Sequence, residues 1–175
     1  MTGVVRRSNA MVCSASGMPT APEQRYTTGV IGHVFVVRWR SFRLADVTAV
    51  RGEIAAARRT AGHRLVYLSL VPSSNRAFSA IEIVGLTDFV RDLLVRDCES
   101  IHHVIDGDGF IASARRSIVT SMALAATNPR AFRVHASLEE ALGVIAADVG
   151  GSKDALLAEA RARDLSFPAS PEASS

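Results

Sequence analysis

Two short polar segments contain the side chains whose types and spacing could support chemistry. The first comprises Ser73, Ser74, Asn75 and Arg76, which follow an apolar run at Leu65–Val71. Such a run is typical of a strand buried on both faces, and open α/β sheets bind ligands just beyond the carboxyl ends of their strands. We therefore interpret these four residues as a phosphorylation or docking loop. The alternative is that the two serines only shape the loop and cap the next helix.

The second polar segment is an Asp-Gly-Asp-Gly turn at residues 106–109, after the next predicted strand. It has the first two acidic positions of a calcium loop but lacks the third acidic ligand and the closing glutamate. The glycines suit a turn with positive φ, and Asp108 is predicted to cap the following helix. Because this turn ends a strand at the same sheet edge, Asp106, Asp108, Arg115 and Arg116 are predicted to form a binding surface beside the serine loop.

The histidines do not show a catalytic or metal-binding pattern. His102 and His103 are adjacent, so on a strand their side chains point to opposite faces. His33, His63 and His135 lack the spacing of metal ligands. The chain has no Gly-x-Ser-x-Gly turn and no glycine-rich phosphate loop. We therefore predict no catalytic residue, no metal site and no cofactor.

Composition narrows the function classes further. The 175-residue chain has a net charge of +3 and no basic run interleaved with aromatic residues, so we predict that it does not bind nucleic acid. No segment approaches the ~18 apolar residues that a membrane span requires. Cys13 and Cys98 lie in unrelated contexts, which favours a reducing compartment over a disulfide framework. We expect a cytoplasmic protein.

Predicted strands and helices alternate along the chain as in an α/β domain. Residues 1–28 are predicted to be a disordered leader, 29–150 the α/β domain, and 151–175 a C-terminal helix with a flexible tail. The predicted elements are a hairpin within Gly29–Arg40 bent at Gly32-His33, helices at Leu44–Ala61, Ser79–Cys98, Phe110–Ala126 and 137–148, and strands at Leu65–Val71, Glu99–Asp106 and Phe132–His135. We expect a mixed, mostly parallel sheet of four to five strands with helices packed on it.

Two of the predicted helices carry specific expectations. The helix that begins at Phe110 aligns Phe110, Ala114, Ile118 and Met122 on one side, with the arginine pair at 115 and 116 on the open side. The helix that follows the last strand begins with a capping box. In that box Ser137 caps the backbone N–H of Glu140, and the Glu140 carboxylate reaches back to the N–H of Ser137.

Two stretches resemble the STAS domains, the fold of bacterial anti-sigma-factor antagonists and related proteins. The sequence FRVHASLEEAL at 132–142 is similar to the last strand and helix of that family. The sequence HRLVYLSL at 63–70 is similar to its central strand. The resemblance covers about residues 30–149 and implies a STAS-like α/β fold.

The resemblance also implies a mode of regulation. Antagonists of this family are switched by phosphorylation of a serine in an Asp-Ser-Ser/Thr-Gly turn after the central strand. The corresponding turn here reads Pro72-Ser73-Ser74-Asn75, without the leading aspartate or the following glycine. A phosphate on either serine would lie near a helix N-terminus and alter a docking surface by charge repulsion.

We expect a non-enzymatic regulatory or scaffolding domain that acts by protein–protein contact in a bacterial complex, and that forms a homodimer. Its predicted partner surface comprises Leu44–Ala61, Pro72–Arg76 and Asp106–Gly109. The alternative is a small-molecule or lipid-binding domain with a cavity between sheet and helices. The predicted walls of that cavity are Phe78, Phe89, Phe110 and Met122.

A small enzyme that uses Asp106, Asp108 and His103 is a third alternative. A large apolar pocket would favour ligand binding, whereas an exposed apolar patch would favour protein contact.

Overall fold

The computed structural model describes residues 6–7, 25–72, 78–107, 109–124 and 131–167. The strands are β1 (Arg6–Arg7), β2 (Tyr26–Ile31), β3 (Val34–Trp39), β4 (Leu65–Val71), β5 (Cys98–Ile105) and β6 (Phe132–His135). The helices are α1 (Leu44–Ala61), α2 (Ala80–Arg96), α3 (Phe110–Leu124), α4 (Leu138–Val149) and α5 (Lys153–Ala162). Within these described ranges, none of the helices combines the length and the apolar character needed to cross a bilayer.

The strands form one sheet in which spatial order follows sequence order from β1 to β6. The pairs β1–β2 and β2–β3 are antiparallel, and the strands from β3 to β6 are parallel. Because each parallel strand is added on the same side of the last, right-handed crossovers place α1, α2 and α3 on one face. The predicted α/β class with a mixed, mostly parallel sheet is confirmed, and the two-residue β1 adds a short edge to the five main strands.

The first long element is the predicted hairpin, with its bend at Gly32 and His33. Gly32 has φ +55°, a left-handed conformation that glycine adopts without steric cost.

β2 begins at Tyr26, and β1 pairs with Thr27 and Thr28. These residues fall within the stretch predicted as a disordered leader, so the structure differs from the prediction there. Short polar strands carry little periodic signal, and their pairing with a neighbouring strand decides their conformation.

Each face of the sheet packs against its own set of helices. The face toward α1, α2 and α3 carries alternate residues such as Phe35, Val37, Tyr67 and Ile101. The opposite face packs against α4 and α5, and its buried residues are Ile31, Val34, Val36, Val66, Leu68, Leu70 and Val104. Successive residues of β4 point to opposite faces of the sheet, and helices cover both faces. All of its side chains are therefore in apolar surroundings, which is why its sequence is one continuous apolar run.

The C-terminal helix α5 docks on the domain. Arg38 on β3 is buried and donates two hydrogen bonds of 2.9 Å to the Asp164 carboxylate. It also donates to the carbonyl of Ser166 at 2.9 Å. Leu165 is fully buried and packs over Gly29, where a Cβ would lie 2.6 Å from a Leu165 methyl carbon. The segment after α4 is therefore part of the folded unit.

The predicted inner face of α3 is wrong. Phe110 and Ile118 are exposed, whereas Ala112 and Val119 are buried against the sheet. The apolar residues at 110, 114, 118 and 122 match helical spacing, but the buried side of the helix carries Ala112 and Val119 with the half-buried Arg116 between them. On that side Arg116 donates to the carbonyl of Ile105 at the end of β5, while Phe110 faces outward.

Capping interactions differ in one detail from the prediction. Ser137 accepts a hydrogen bond from the Glu140 N–H at 3.1 Å, as predicted. The Glu140 carboxylate, however, accepts from the N–H of Ala136 at 3.0 Å, so the box closes one residue earlier. A complete capping box occurs at the start of α2, where Ser79 and Glu82 each bond to the backbone of the other.

Candidate functional site

The carboxyl ends of the parallel strands meet at one edge of the sheet, which we call the carboxyl edge. It contains Trp39 at the end of β3, Val71 at the end of β4 and Ile105 at the end of β5. The N–H of Asp106 donates to the carbonyl of Val71 at 3.3 Å, so the aspartate turn lies directly beside the chain that leads into the serine loop. The predicted loop residues 73–76 and the predicted ligand at 108 lie outside the described residues.

The arginines after the aspartate turn have separate roles. The Arg116 guanidinium donates from one nitrogen to the carbonyls of Ile105 and Gly107, at 3.1 and 3.0 Å. It therefore holds the turn against β5. Asp106 and Arg115 are half-buried at the same edge. The structure thus places Asp106, Arg115 and Arg116 after the end of β5 and shows that Arg116 stabilises the turn.

A cavity lies beneath this edge, between the sheet and helices α1, α2 and α3. Its volume is about 30 Å³, which is room for one or two water molecules. The predicted walls Phe78 and Phe89 line it, but Phe110 does not, and the side chain at 122 lies outside the described residues. Ligand sites for drug-sized molecules have volumes of roughly 300–1,000 Å³, so this cavity is not a preformed lipid site.

The floor of the cavity carries a small polar cluster. The indole N–H of Trp39 donates to the Ser69 hydroxyl at 3.1 Å, and both groups are buried. Burial raises the pKa of Tyr67, so its hydroxyl stays protonated beside Ser69. Burial also lowers the pKa of His103 to about 4, so this imidazole is neutral at pH 7. Within the described residues, neither ring nitrogen of His103 has a hydrogen-bond partner, and one side of the ring lies against Phe132.

Apolar side chains project into solvent next to the cavity. Ile81 and Val84, one turn apart near the start of α2, are 77% and 63% exposed. Phe110, the first residue of α3, is 87% exposed. Since α2 and α3 begin after neighbouring strands, these three residues lie at the same end of the helical layer. We call them the apolar edge patch.

Positive charge surrounds this patch. Arg40 and Arg43 are exposed between β3 and α1, and the two arginines of α3 lie one to two turns beyond Phe110. The acidic side chain of Asp46 is neutralised by a bidentate ion pair with Arg25, at 2.7 and 2.8 Å. The described part of this edge therefore carries the exposed arginines Arg40 and Arg43 together with the half-buried carboxylate of Asp106.

Two histidine pairs were not predicted from the sequence. His33 Nδ1 lies 2.9 Å from His63 Nε2 at the amino edge of the sheet, where both rings are exposed. His102 Nδ1 lies 3.0 Å from His135 Nε2 in the layer between β5, β6 and α4, where both residues are buried. Each pair joins residues thirty or more positions apart, so only the strand register reveals it. As predicted, His102 and His103 point to opposite faces of the sheet.

Other reactive groups offer little chemistry. Burial, with the negative charge of Asp97 nearby, raises the pKa of Cys98 to about 12, so its thiol is protonated and unreactive at pH 7. Within the ranges that the structure describes, no cluster of three or more His, Cys, Asp or Glu side chains could hold a metal ion.

Comparison with known proteins does not identify a family for this chain. The chain matches no protein-family model, no curated protein and no solved structure.

Proposed function

We propose that this protein is a non-enzymatic regulatory or scaffolding domain that acts by protein–protein contact in a bacterial, cytoplasmic complex. The observation that carries the proposal is the apolar edge patch of Ile81, Val84 and Phe110. Exposing three large apolar side chains at one end of a helical layer is unfavourable in water unless a partner covers them. The small volume of the neighbouring cavity supports the same function, because in the described residues this cavity is too small for a drug-sized ligand.

The chemistry of the surface defines its partner. Apolar side chains at the centre of a surface, surrounded by arginines, suit an amphipathic segment with acidic residues on its margins. Arginine is well suited to this position because its guanidinium binds carboxylates in a bidentate geometry. We propose an acidic amphipathic segment of another protein as the occupant; a second copy of this chain would be detected as an alternative outcome.

The STAS-like assignment is part of the same proposal. Its support is the observed order of hairpin, helix, strand, helix, strand, helix, strand and helix, together with the position of Pro72 after the end of β4 at the carboxyl edge. In the predicted mechanism, a phosphate on Ser73 or Ser74 would add negative charge beside a surface that attracts acidic groups. It would therefore weaken partner binding.

The experiment is crosslinking from a photoreactive residue placed at position 84 in the cell of origin, followed by titration of the purified partner. Val84→Glu should weaken partner binding by about tenfold or more, because it places a carboxylate against an apolar and acidic segment. Val95→Glu is the matched control, since Val95 is 66% exposed at the other end of α2. Equal loss of binding by both variants, or by neither, would contradict the proposal.

A second candidate function is small-molecule binding, supported by the polar cluster beneath the carboxyl edge. The unpaired imidazole of His103, the Tyr67 hydroxyl and the Ser69 hydroxyl converge on an apolar cavity, which is the usual composition of a ligand site. A ligand larger than water would require Phe42 and Phe78 to move outward, since both lie in the wall.

Native mass spectrometry of protein purified from its own cell tests this second function. A bound molecule that is released on denaturation and is absent from the cavity-filling variant Ser69→Val would support it. A spectrum of the bare chain would count against it.

A further inference from the structure

The exposed pair of His33 and His63 brings two imidazole nitrogens within 2.9 Å of each other in a hydrogen bond. We propose that these two imidazoles bind a divalent transition-metal ion, of the class of Zn²⁺, Ni²⁺ and Cu²⁺. The site lies at the amino edge of the sheet, at the opposite end from the apolar edge patch. It is therefore independent of the proposed protein contact.

Rigid backbone positions both histidines. His33 occupies the turn between β2 and β3, and its carbonyl accepts a hydrogen bond of 3.0 Å from the N–H of Val66. His63 follows Gly62, which ends α1 in the left-handed conformation with φ 76°. The next residues enter β4, which pairs with β3 in the register Val34 to Val66. Strand pairing and the end of α1 therefore fix the separation of the two rings.

Hydrogen bonds define the tautomers of the pair. His63 Nδ1 lies 2.8 Å from the carbonyl oxygen of Arg64, which can only accept, so Nδ1 carries the proton. His63 Nε2 therefore presents a lone pair, which accepts from His33 Nδ1–H across 2.9 Å. One proton is thus held between two nitrogens that are both exposed to solvent.

A metal ion can replace that proton without a net change of charge on the protein. His33 moves its proton from Nδ1 to Nε2, which faces water, and both facing nitrogens then offer lone pairs. With Zn–N bonds of about 2.0–2.1 Å, two ligands of a tetrahedral ion lie about 3.3 Å apart. The two nitrogens must therefore separate from 2.9 Å by a few tenths of an ångström, and both exposed rings must also turn so that their lone pairs converge on the ion.

The hydrogen bond from His63 to the Arg64 carbonyl strengthens this assignment. A histidine that binds a metal through one nitrogen usually donates its other N–H to a carbonyl or carboxylate, which fixes the ring and raises its basicity. That arrangement is already present in His63. Imidazole ligands select the later divalent ions. Because no third protein donor lies at this pair within the described residues, water completes the coordination and the ion is exchangeable.

The test is calorimetric titration of the intact chain with Zn²⁺, accompanied by Cu²⁺ electron paramagnetic resonance. We expect one ion per chain, a Cu²⁺ spectrum with coupling to two imidazole nitrogens, and weaker binding at acid pH because protons compete for the same lone pairs. His33→Gln and His63→Gln should each reduce the affinity by about tenfold or more, since removing even a supporting group of a metal site costs 10–100-fold. Thr60→Ala, an exposed change at the same end of α1, should have no effect.

Two results would overturn the site. One is Zn²⁺ affinity that is unchanged in the double variant His33→Gln/His63→Gln, which would place the bound ion elsewhere. The other is a Cu²⁺ spectrum that shows fewer than two coupled imidazoles in the wild-type chain.

Discussion

His102 and His135 face each other in the buried layer beneath α4, with Nδ1 of the first 3.0 Å from Nε2 of the second and ring planes only 6° apart. Ser100 Oγ lies 3.3 Å from the other nitrogen of His102, and Glu140 Oε1 lies 3.4 Å from that of His135. The four residues form a polar chain from β5 through β6 to the start of α4. Its interior carries no charge, since burial lowers the pKa of both imidazoles, that of His102 to about 3.

The direction of the hydrogen bonds through these residues predicts which ring nitrogen of His102 and of His135 carries the proton. The Glu140 carboxylate oxygen that lies 3.4 Å from His135 Nδ1 does not complete a hydrogen bond, but its negative charge favours a proton on Nδ1, so that Nε2 accepts from His102 Nδ1–H. His102 Nε2 then accepts from the Ser100 hydroxyl. Nitrogen-15 NMR at pH 7 should show both rings neutral with the proton on Nδ1. A proton on Nε2 of either ring would show that the chain runs in the opposite direction or is broken.

The buried histidines predict loss of stability in mild acid. An unfolded histidine takes up a proton near its ordinary pKa of 6.5, whereas folded His102 and His103 remain neutral down to about 3 and 4. The unfolded state therefore binds more protons below pH 6.5, and stability falls as the pH falls through this window. Two such groups should lower the free energy of unfolding by about 3 kcal/mol between pH 6.5 and pH 5. His135 adds to the loss in the same direction.

Urea unfolding between pH 7.5 and pH 5 checks this dependence, in a range where most carboxylates are still ionised. His103→Phe is the informative variant, because its ring lies between Tyr67 and Phe132 and a phenyl ring retains both contacts. The free energy of unfolding of this variant should fall less steeply with decreasing pH than that of the wild-type chain, by about 1.4 kcal/mol per pH unit. Stability that does not change between pH 7 and pH 5 would contradict the burial of these imidazoles.

The ion pair between Arg38 and Asp164 predicts that removal of one carboxylate lowers the stability of the protein. Asp164→Ala leaves the buried guanidinium of Arg38 without its charged partner, and because the Asp164 carboxylate is itself 64% exposed, this should cost about 1–2 kcal/mol of stability. The nearby exposed pair between Arg161 and Glu139 supplies the control: Arg161→Ala should change stability by about 0.5 kcal/mol or less. Chemical denaturation measures both changes. Equal, small effects would mean that α5 is not held through Arg38.

The hydrogen bond beneath the carboxyl edge predicts an energetic coupling between Trp39 and Ser69. Trp39→Phe keeps an aromatic ring next to Tyr26 and Phe42 but removes the indole N–H, while Ser69→Ala removes the acceptor. A double-mutant cycle should yield a coupling of about 1 kcal/mol. Strictly additive losses of stability in urea unfolding would argue against this bond.

Much of the fold could be predicted from the sequence because its signals are local. Gly62 ends α1 as a left-handed residue, β6 has the predicted bounds, and the apolar stripe of α2 faces the core. The face of α3 could not be predicted, because apolar residues lie on more than one side of that helix. Its buried side is defined by tertiary contacts, such as the one from Arg116 to the end of β5.

The candidate sites were less predictable than the fold. The position of the aspartate turn and of the cavity at the carboxyl edge follows from the general behaviour of parallel sheets. The pairing of His33 with His63 and of His102 with His135 depends on strand register, which sequence spacing does not reveal. The exposure of Phe110 was likewise hidden, since an aromatic residue at helical spacing is ordinarily assigned to the core.

Hydrogen–deuterium exchange of this protein with and without its captured partner shows whether the apolar edge patch is a partner surface. We expect slower exchange in the first turns of α2 and α3, around residues 80–86 and 110–116, with α5 unchanged. We also expect that Val84→Glu removes this protection while Val95→Glu retains it. Protection confined to α4 and α5, or unaffected by Val84→Glu, would contradict a partner surface at this patch.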